Sequence, residues 1–307
     1  MQMEKGHAIK VLDHGYVKLV DFMGSDESIV EDARMSTGRG FVSWEAYKRC
    51  KTCGIVDADL KSNPLLCEGH AGWETFPRGD LGILTTLHAN RHTTPFETGG
   101  ELKIEVQAPI MVFREWHRHR TQSYNEFSAR YAQMPDLHYV PAPERIQKQS
   151  ATNKQGSGES IDAVIADAIR EDFKDEQRGI YTRYDKLVGG GVAKEVARLN
   201  TPVSRYSKMR AKTDLHNWLG FLRLRHHPAA QWEIQQYAHA VAEIVKALWP
   251  RTWELFDEHD LNGARLSCTE KMALADLTTI SGAWAALDNM LGEAGAKALI
   301  TKLGGPR

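Results

Sequence analysis

Apolar and polar residues alternate along two stretches of the chain. Residues 16–23 (YVKLVDFM) and 101–108 (ELKIEVQA) keep that alternation long enough to predict strands. Elsewhere the spacing is helical. Residues 25–36 predict a short helix with Ser25 or Asp26 as N-cap, and residues 81–90 predict another. Pro109 suits the first turn of a helix running through Ile110, Val112 and Trp116. A long amphipathic pattern over 161–187 stops at Gly189, Gly190 and Gly191. A shorter helix through Val196 follows, and Pro202 ends it. Residues 215–224 and 231–248 predict two more. The second places Ile234, Tyr237, Ala238, Val241, Val245 and Leu248 on one stripe before Pro250.

Between these elements, residues 38–79 read as an irregular segment rich in Gly and Trp that holds three of the four cysteines. Residues 141–160 read as a polar loop. An Ala-rich tail from about residue 262 reads as a helical appendage, with Cys268 in its core. No segment repeats. The pattern predicts an α+β fold, a modest and mostly antiparallel sheet packed with long helices. It predicts a main domain over 1–260 with an insertion at 38–79, and an appendage over 261–307.

Composition narrows the function. The chain has 307 residues, 42% hydrophobic and 26% charged, the profile of a globular protein able to bury a substantial core. Its net charge of −1 gives no global pull toward nucleic acid or an anionic membrane, so anion binding must come from local clustering. The N-terminal run MQMEKGHAIKVLDHG lacks an apolar h-region and predicts no signal peptide. Apolar runs stay well below the roughly 20 residues of a membrane span. A cytoplasmic setting is expected, with cysteines as free thiols or metal ligands.

Local clustering is found at residues 114–130, REWHRHRTQSYNEFSAR. It carries Arg114, Arg118, Arg120 and Arg130 with His117 and His119, against only Glu115 and Glu126. On a helix, Arg114, His117 and Arg118 would share a face. Arginine's planar fork binds phosphate bidentately. Ser123, Asn125 and Ser128 add polar groups, and Trp116, Tyr124, Phe127 and Tyr131 are interleaved with them. A purely solvated basic face has no use for four aromatics, so the cluster points to a phosphorylated, aromatic ligand without naming a reaction.

Arg118-His119-Arg120, seven residues and then Ser128 resembles the signature of the flavin-dependent thymidylate synthases, the ThyX family. HTTPFE from His92, RYAQMPDLHYVP from Arg130, KQGSG from Lys154, FLRLR ending at Arg225 and QWEIQQYA from Gln231 resemble further family segments in the same order. The opening HGYVKLVDFMGSDESIVEDARMS is similar too, so the resemblance covers residues 10–257 apart from the insertion.

The resemblance implies a ThyX-like fold and a homotetramer with sites shared between subunits. It also implies a reaction in which dUMP, methylenetetrahydrofolate and NADPH give dTMP through FAD, with no cysteine attacking the pyrimidine. Carried over by position, Arg225 would stabilise the uracil ring ionised at N3. Glu115, Arg118, Glu126, Ser128, Ala129, Arg130 and Arg198 would complete the nucleotide site. His92, Thr94, Arg118, His119, Arg120, Glu126, Asp214, His216 and Gly220 would face the flavin.

Five positions depart from the family pattern. Glu115 stands where glutamine is typical, beside a phosphate that it repels unless Arg114 or Arg118 neutralises it. Asp214 and His216 replace the ends of an Asn-x-Arg triplet, Gly220 replaces an asparagine, and Ala229 a histidine. These changes thin the polar contacts expected around flavin and leave room for UMP on the same chemistry. A noncatalytic nucleic-acid-binding module built on the arginines and cysteines is the other class weighed, and it predicts a broad basic surface that this charge balance lacks. In the insertion, Cys50-x2-Cys53, thirteen residues and then Cys67-x2-His70 form two knuckles suited to structural zinc, with buried free thiols as the alternative.

Overall fold

The computed structural model of the chain describes residues 3–57, 67, 69–70, 72–151, 156–277 and 283–303. Part of the KQGSG segment therefore lies outside the described residues. Two compact units are present, Met1–Leu261 and Asn262–Arg307.

The first unit is organised on a five-stranded antiparallel sheet. In chain order the strands of this unit are β1 (Ala8–Val11), β2 (Gly15–Gly24), β3 (Tyr47–Cys50), β4 (Trp73–Phe76), β5 (Gly100–Pro109), β6 (Ser123–Glu126), β7 (Gln147–Gln149), β8 (Ser157–Ser160) and β9 (Tyr206–Asp214). The main sheet runs β1-β2-β5-β9-β6. Its centre follows the period-2 pattern: Leu102, Ile104, Val106 and Ala108 of β5 are buried, with Val17 and Leu19 of β2 beside them and Met209 and Ala211 of β9 on the other flank. Glu101, Lys103, Glu105 and Gln107 point to the opposite face.

Helices of this unit are α1 (Asp26–Arg34), α2 (Leu81–Ala89), α3 (Thr94–Thr98), α4 (Ile110–Trp116), α5 (Ala163–Gly189), α6 (Lys194–Ala197), α7 (Leu215–Arg225), α8 (Trp232–Leu248) and α9 (Pro250–Phe256). Ser25 caps α1 through its side chain, as its spacing predicts. The stripe of α8 is buried through Ile234, Tyr237, Ala238, Val241 and Val245, and joins Trp116, Trp218, Phe221 and Trp249 in the core over the sheet. Tyr237 donates to the Gln107 carbonyl at 2.8 Å, which ties α8 to β5.

Three expectations are corrected. The 38–79 segment is not irregular throughout: β3 and β4 pair in an antiparallel ribbon, because Tyr47 and Phe76 stack at 4.7 Å and give it an apolar seam. The 141–160 loop likewise contains the β7–β8 pair. In the second unit, α10 (Cys268–Leu277) and α11 (Ala283–Leu303) are helical, but Cys268 is exposed rather than core, since it stands in the first turn of α10. Among the described residues, no helix is long and apolar enough to cross a membrane.

Candidate functional site

Pro109 ends β5 and leads directly into α4, whose seven residues stop at Trp116. Trp116 is buried and donates through Nε1 to Gln122 Oε1 at 3.0 Å. Tyr124 then donates its hydroxyl to the carbonyls of Trp116 and His119, at 3.2 and 2.7 Å. These bonds fold residues 117–122 into a tight turn. Arg118 and Arg120 therefore lie past the end of a helix that runs through Trp116, as the sequence predicts. They stand exposed on the turn and form no ion pair among the described residues, as does Arg114.

The turn packs on the C-terminal end of α7. Phe221 lies 4.6 Å from the Trp116 ring and 4.8 Å from the His119 ring, measured between centroids. This contact delivers Arg225, one turn further on, to the chain beyond α4. Its Nε donates to His119 Nε2 at 3.0 Å, Nη1 to Glu115 Oε2 at 2.8 Å, and Nη2 to the Glu115 carbonyl at 3.1 Å. Glu115 is thus neutralised by Arg225, not by Arg114 or Arg118. Burial, and then the Arg225 charge, push the His119 pKa down to about 4. The ring is neutral at pH 7, and accepting at Nε2 leaves its proton on Nδ1.

A second group gathers where β6 meets the α5–α6 region. Glu126 accepts from the Ser207 hydroxyl at 2.9 Å. Ser128 Oγ accepts the Arg130 main-chain N–H at 3.3 Å, while Ala129 is buried with Met134, Tyr184 and Ala197. Arg130 pairs with Glu195 at 3.0 Å and Lys194 donates to the Tyr131 carbonyl at 3.0 Å. Those two contacts bring α6, and Arg198 just beyond it, to this loop. Arg205 was not anticipated. It is half-buried, and burial lowers its pKa while the charge of Glu126 raises it and that of Arg198 lowers it. A lone arginine outside any motif carries no sequence signal for this. A cavity of about 320 Å³ opens alongside, lined by Phe127, Met134, Tyr206, Ser207 and Lys208.

Among the described residues no hydrogen bond or ion pair joins this group to Arg225. The remaining sequence-derived positions lie on other elements. His92 and Thr94 are exposed at the start of α3. Asp214 caps α7, accepting from Asn217 N at 2.9 Å and Asn217 Nδ2 at 2.7 Å. His216 and Gly220 are four residues apart on α7, and a side chain at Gly220 would project into open space. A cavity of about 350 Å³ lies elsewhere, between the β7–β8 hairpin and the start of α8.

A family model described as thymidylate synthase complementing protein matches residues 18–251. A flavin-dependent thymidylate synthase from Thermus thermophilus is 40% identical over 306 residues, spanning 99% of this chain and 98% of the relative. The chain belongs to the flavin-dependent thymidylate synthases. Another member, from Wolbachia pipientis wMel, is 38% identical over 260 residues, 85% of this chain and 80% of its own. Among solved structures, a UMP/dUMP methylase PolB from Streptomyces cacaoi bound with 5-Br UMP superposes with a TM-score of 0.63 at 26% identity, covering 81% of this chain and 96% of that one. Its complex with 5-Br dUMP gives a TM-score of 0.62 at 27% identity. Membership of this flavin-dependent family makes the chain an enzyme and removes the noncatalytic nucleic-acid module. The Thermus match also spans the cysteine-bearing insertion and the tail, which therefore belong to the aligned length of this flavin-dependent thymidylate synthase.

Proposed function

We propose that this flavin-dependent thymidylate synthase methylates dUMP at C5 to dTMP, with methylenetetrahydrofolate as carbon donor and NADPH as reductant of bound FAD. The observation that carries the proposal is the guanidinium of Arg225, held by three hydrogen bonds where α4 and α7 meet. A fixed cation of this kind, placed against a uracil N3, favours the N3 anion and so raises electron density at C5. Glu115 and neutral His119 keep the Arg225 guanidinium from swinging away. Glu126, Ser128, Ala129, Arg130 and Arg198 form the sugar and phosphate end, with Arg205 as an added positive charge.

The donor set fits a flavin dinucleotide. Arg118 and Arg120 are exposed cations without an ion-pair partner among the described residues, suited to a pyrophosphate, and the space over Gly220 leaves room for a ring. His92, Thr94, His119 and His216 supply further polar contacts, and Asp214 fixes the start of α7. When bound there, FAD would supply hydride chemistry for completing the methyl group. Among the described residues no hydrogen bond or ion pair links the nucleotide-end residues to Arg225 within one chain, which supports a homotetramer that shares sites between subunits. Exposed Tyr131, Val164, Ile165, Phe173 and Leu199 support it as well, since large apolar side chains at such exposure mark contact surfaces. The setting is cytoplasmic.

UMP is the second reading, favoured by the relation to a methylase whose solved complexes carry both 5-Br UMP and 5-Br dUMP. The test supplies NADPH, FAD and methylenetetrahydrofolate with dUMP or with UMP and identifies products by mass. A methylated deoxynucleotide alone supports the main reading, methylated UMP the second, and neither product overturns both.

A further inference from the structure

We infer that the insertion is a zinc-binding ribbon in which Cys50, Cys53, Cys67 and His70 hold one structural Zn²⁺. This goes beyond the methylation reading and does not rest on it.

The four side chains come from two short knuckles and converge at one end of the β3–β4 ribbon. Their ligand atoms all lie within 4.8 Å of one another. A tetrahedral zinc with Zn–S bonds of about 2.3 Å spaces its sulfurs about 3.8 Å apart. Cys53 Sγ and Cys67 Sγ stand 3.5 Å apart, and Cys67 Sγ lies 3.8 Å from His70 Nδ1. Free thiols have no reason to collect three sulfurs and an imidazole nitrogen at that spacing. Three thiolates and one imidazole are soft ligands that suit Zn²⁺, and four protein ligands close the coordination sphere, which marks a structural rather than a catalytic site.

The backbone is built for the same purpose. Cys50 ends β3, its N–H bonds the Ile55 carbonyl at 2.8 Å, and Gly54 N–H returns to the Cys50 carbonyl at 3.0 Å. This reversal needs the φ of +78° that Gly54 adopts. It aims the main-chain N–H groups of Thr52 and Cys53 at the Cys50 sulfur and that of Ile55 at the Cys53 sulfur. Such outer hydrogen bonds orient thiolate ligands. Across the ribbon, Gly69 N–H bonds the Cys67 carbonyl at 2.8 Å with φ +73°, and Lys51 N–H bonds the Gly72 carbonyl at 3.1 Å.

The ribbon also needs a fastening at this end. A two-stranded hairpin is marginal by itself. Its other end is secured by Asp80, which accepts from Arg34 Nη1, Tyr47 Oη and the main-chain N–H of Val42. Among the described residues the ribbon's apolar packing is thin: Tyr47 stacks on Phe76, and the Arg49 guanidinium sits 5.3 Å from the Phe76 ring. A metal at the knuckles supplies the missing restraint.

The test uses the full chain, purified under reducing conditions without chelator. Elemental analysis is expected to find about one zinc per chain. Exchange into Co²⁺ is expected to give the intense visible bands of a four-coordinate site and a thiolate charge-transfer band. Cys53→Ser and His70→Ala are each expected to weaken zinc binding by on the order of 100-fold. Both positions are less buried than Cys50, so both variants are expected to fold, which circular dichroism checks. Wild-type protein that takes up neither zinc nor cobalt under reducing conditions would overturn the inference. So would folded variants that keep wild-type affinity, or a six-coordinate cobalt spectrum.

Discussion

Arg225 Nη1 stands 2.8 Å from Glu115 Oε2, in a pair whose side chains are 18% and 28% exposed. The acid that the sequence sets beside a phosphate site therefore holds Arg225, the cation proposed to face the pyrimidine. Glu115→Gln keeps the shape and removes the charge. Losing one charge-assisted hydrogen bond of this kind is expected to lower unfolding free energy by roughly 1–3 kcal/mol. Denaturant unfolding checks that figure. The nucleotide is expected to bind no more weakly, because a negative charge near it has gone. A markedly weaker dUMP Kd would show that Glu115 binds substrate rather than Arg225.

Arg225→Ala is expected to separate the two half-reactions. Methyl transfer should fall by on the order of 100- to 1,000-fold, while FAD reduction by NADPH stays largely intact, since only the first develops negative charge on the uracil. Arg225→Lys should rescue poorly, because an ammonium cannot make the three-way hold on Glu115 and His119. Stopped-flow measurement of both steps checks this. Loss of both together would mean a structural role.

Much of this was legible in the chain. Alternation gave the central strand β5, and the 3.6-residue stripe gave α8, because both bury one face against the core. Strand β9, with three Lys and Arg residues among its nine, is masked as a strand by charge on its open face, although Met209 and Ala211 alternate correctly beneath. The family resemblance named Arg225 and Glu115 separately. Their contact depends on the Trp116–Phe221 packing, which joins segments over 100 residues apart in sequence and has no local signature. Arg205 was illegible for the same reason.

His119 is expected to titrate far below an ordinary histidine. Its folded pKa is about 4, and the unfolded chain binds that proton near 6.5. Protonation therefore favours unfolding. His119 is expected to cost no stability above about pH 6.5, and to erode it progressively as pH falls toward 4. An NMR titration of the His119 ring should show a midpoint near 4. A midpoint at an ordinary histidine value would contradict the burial and the Arg225 contact.

Assembly is expected to require the outer face of α5. Ile165 and Phe173 are 54% and 39% exposed despite being large and apolar. The wild type is expected to elute as a tetramer on size-exclusion chromatography, and the double variant Ile165→Glu/Phe173→Glu should elute smaller and lose methyl transfer. Wild-type protein that runs as a fully active monomer would remove the shared-site account.

The central claim is that this chain passes a one-carbon unit to a uridine nucleotide at the expense of reduced flavin. The direct measurement is a single anaerobic turnover: the chain carrying reduced FAD is mixed with dUMP and methylenetetrahydrofolate, flavin absorbance is followed, and the nucleotide is weighed by mass spectrometry. The account predicts flavin oxidation only when both substrates are present, with a product heavier than dUMP by one CH₂. Flavin that stays reduced with both substrates bound, or that oxidises with dUMP unchanged, would contradict it.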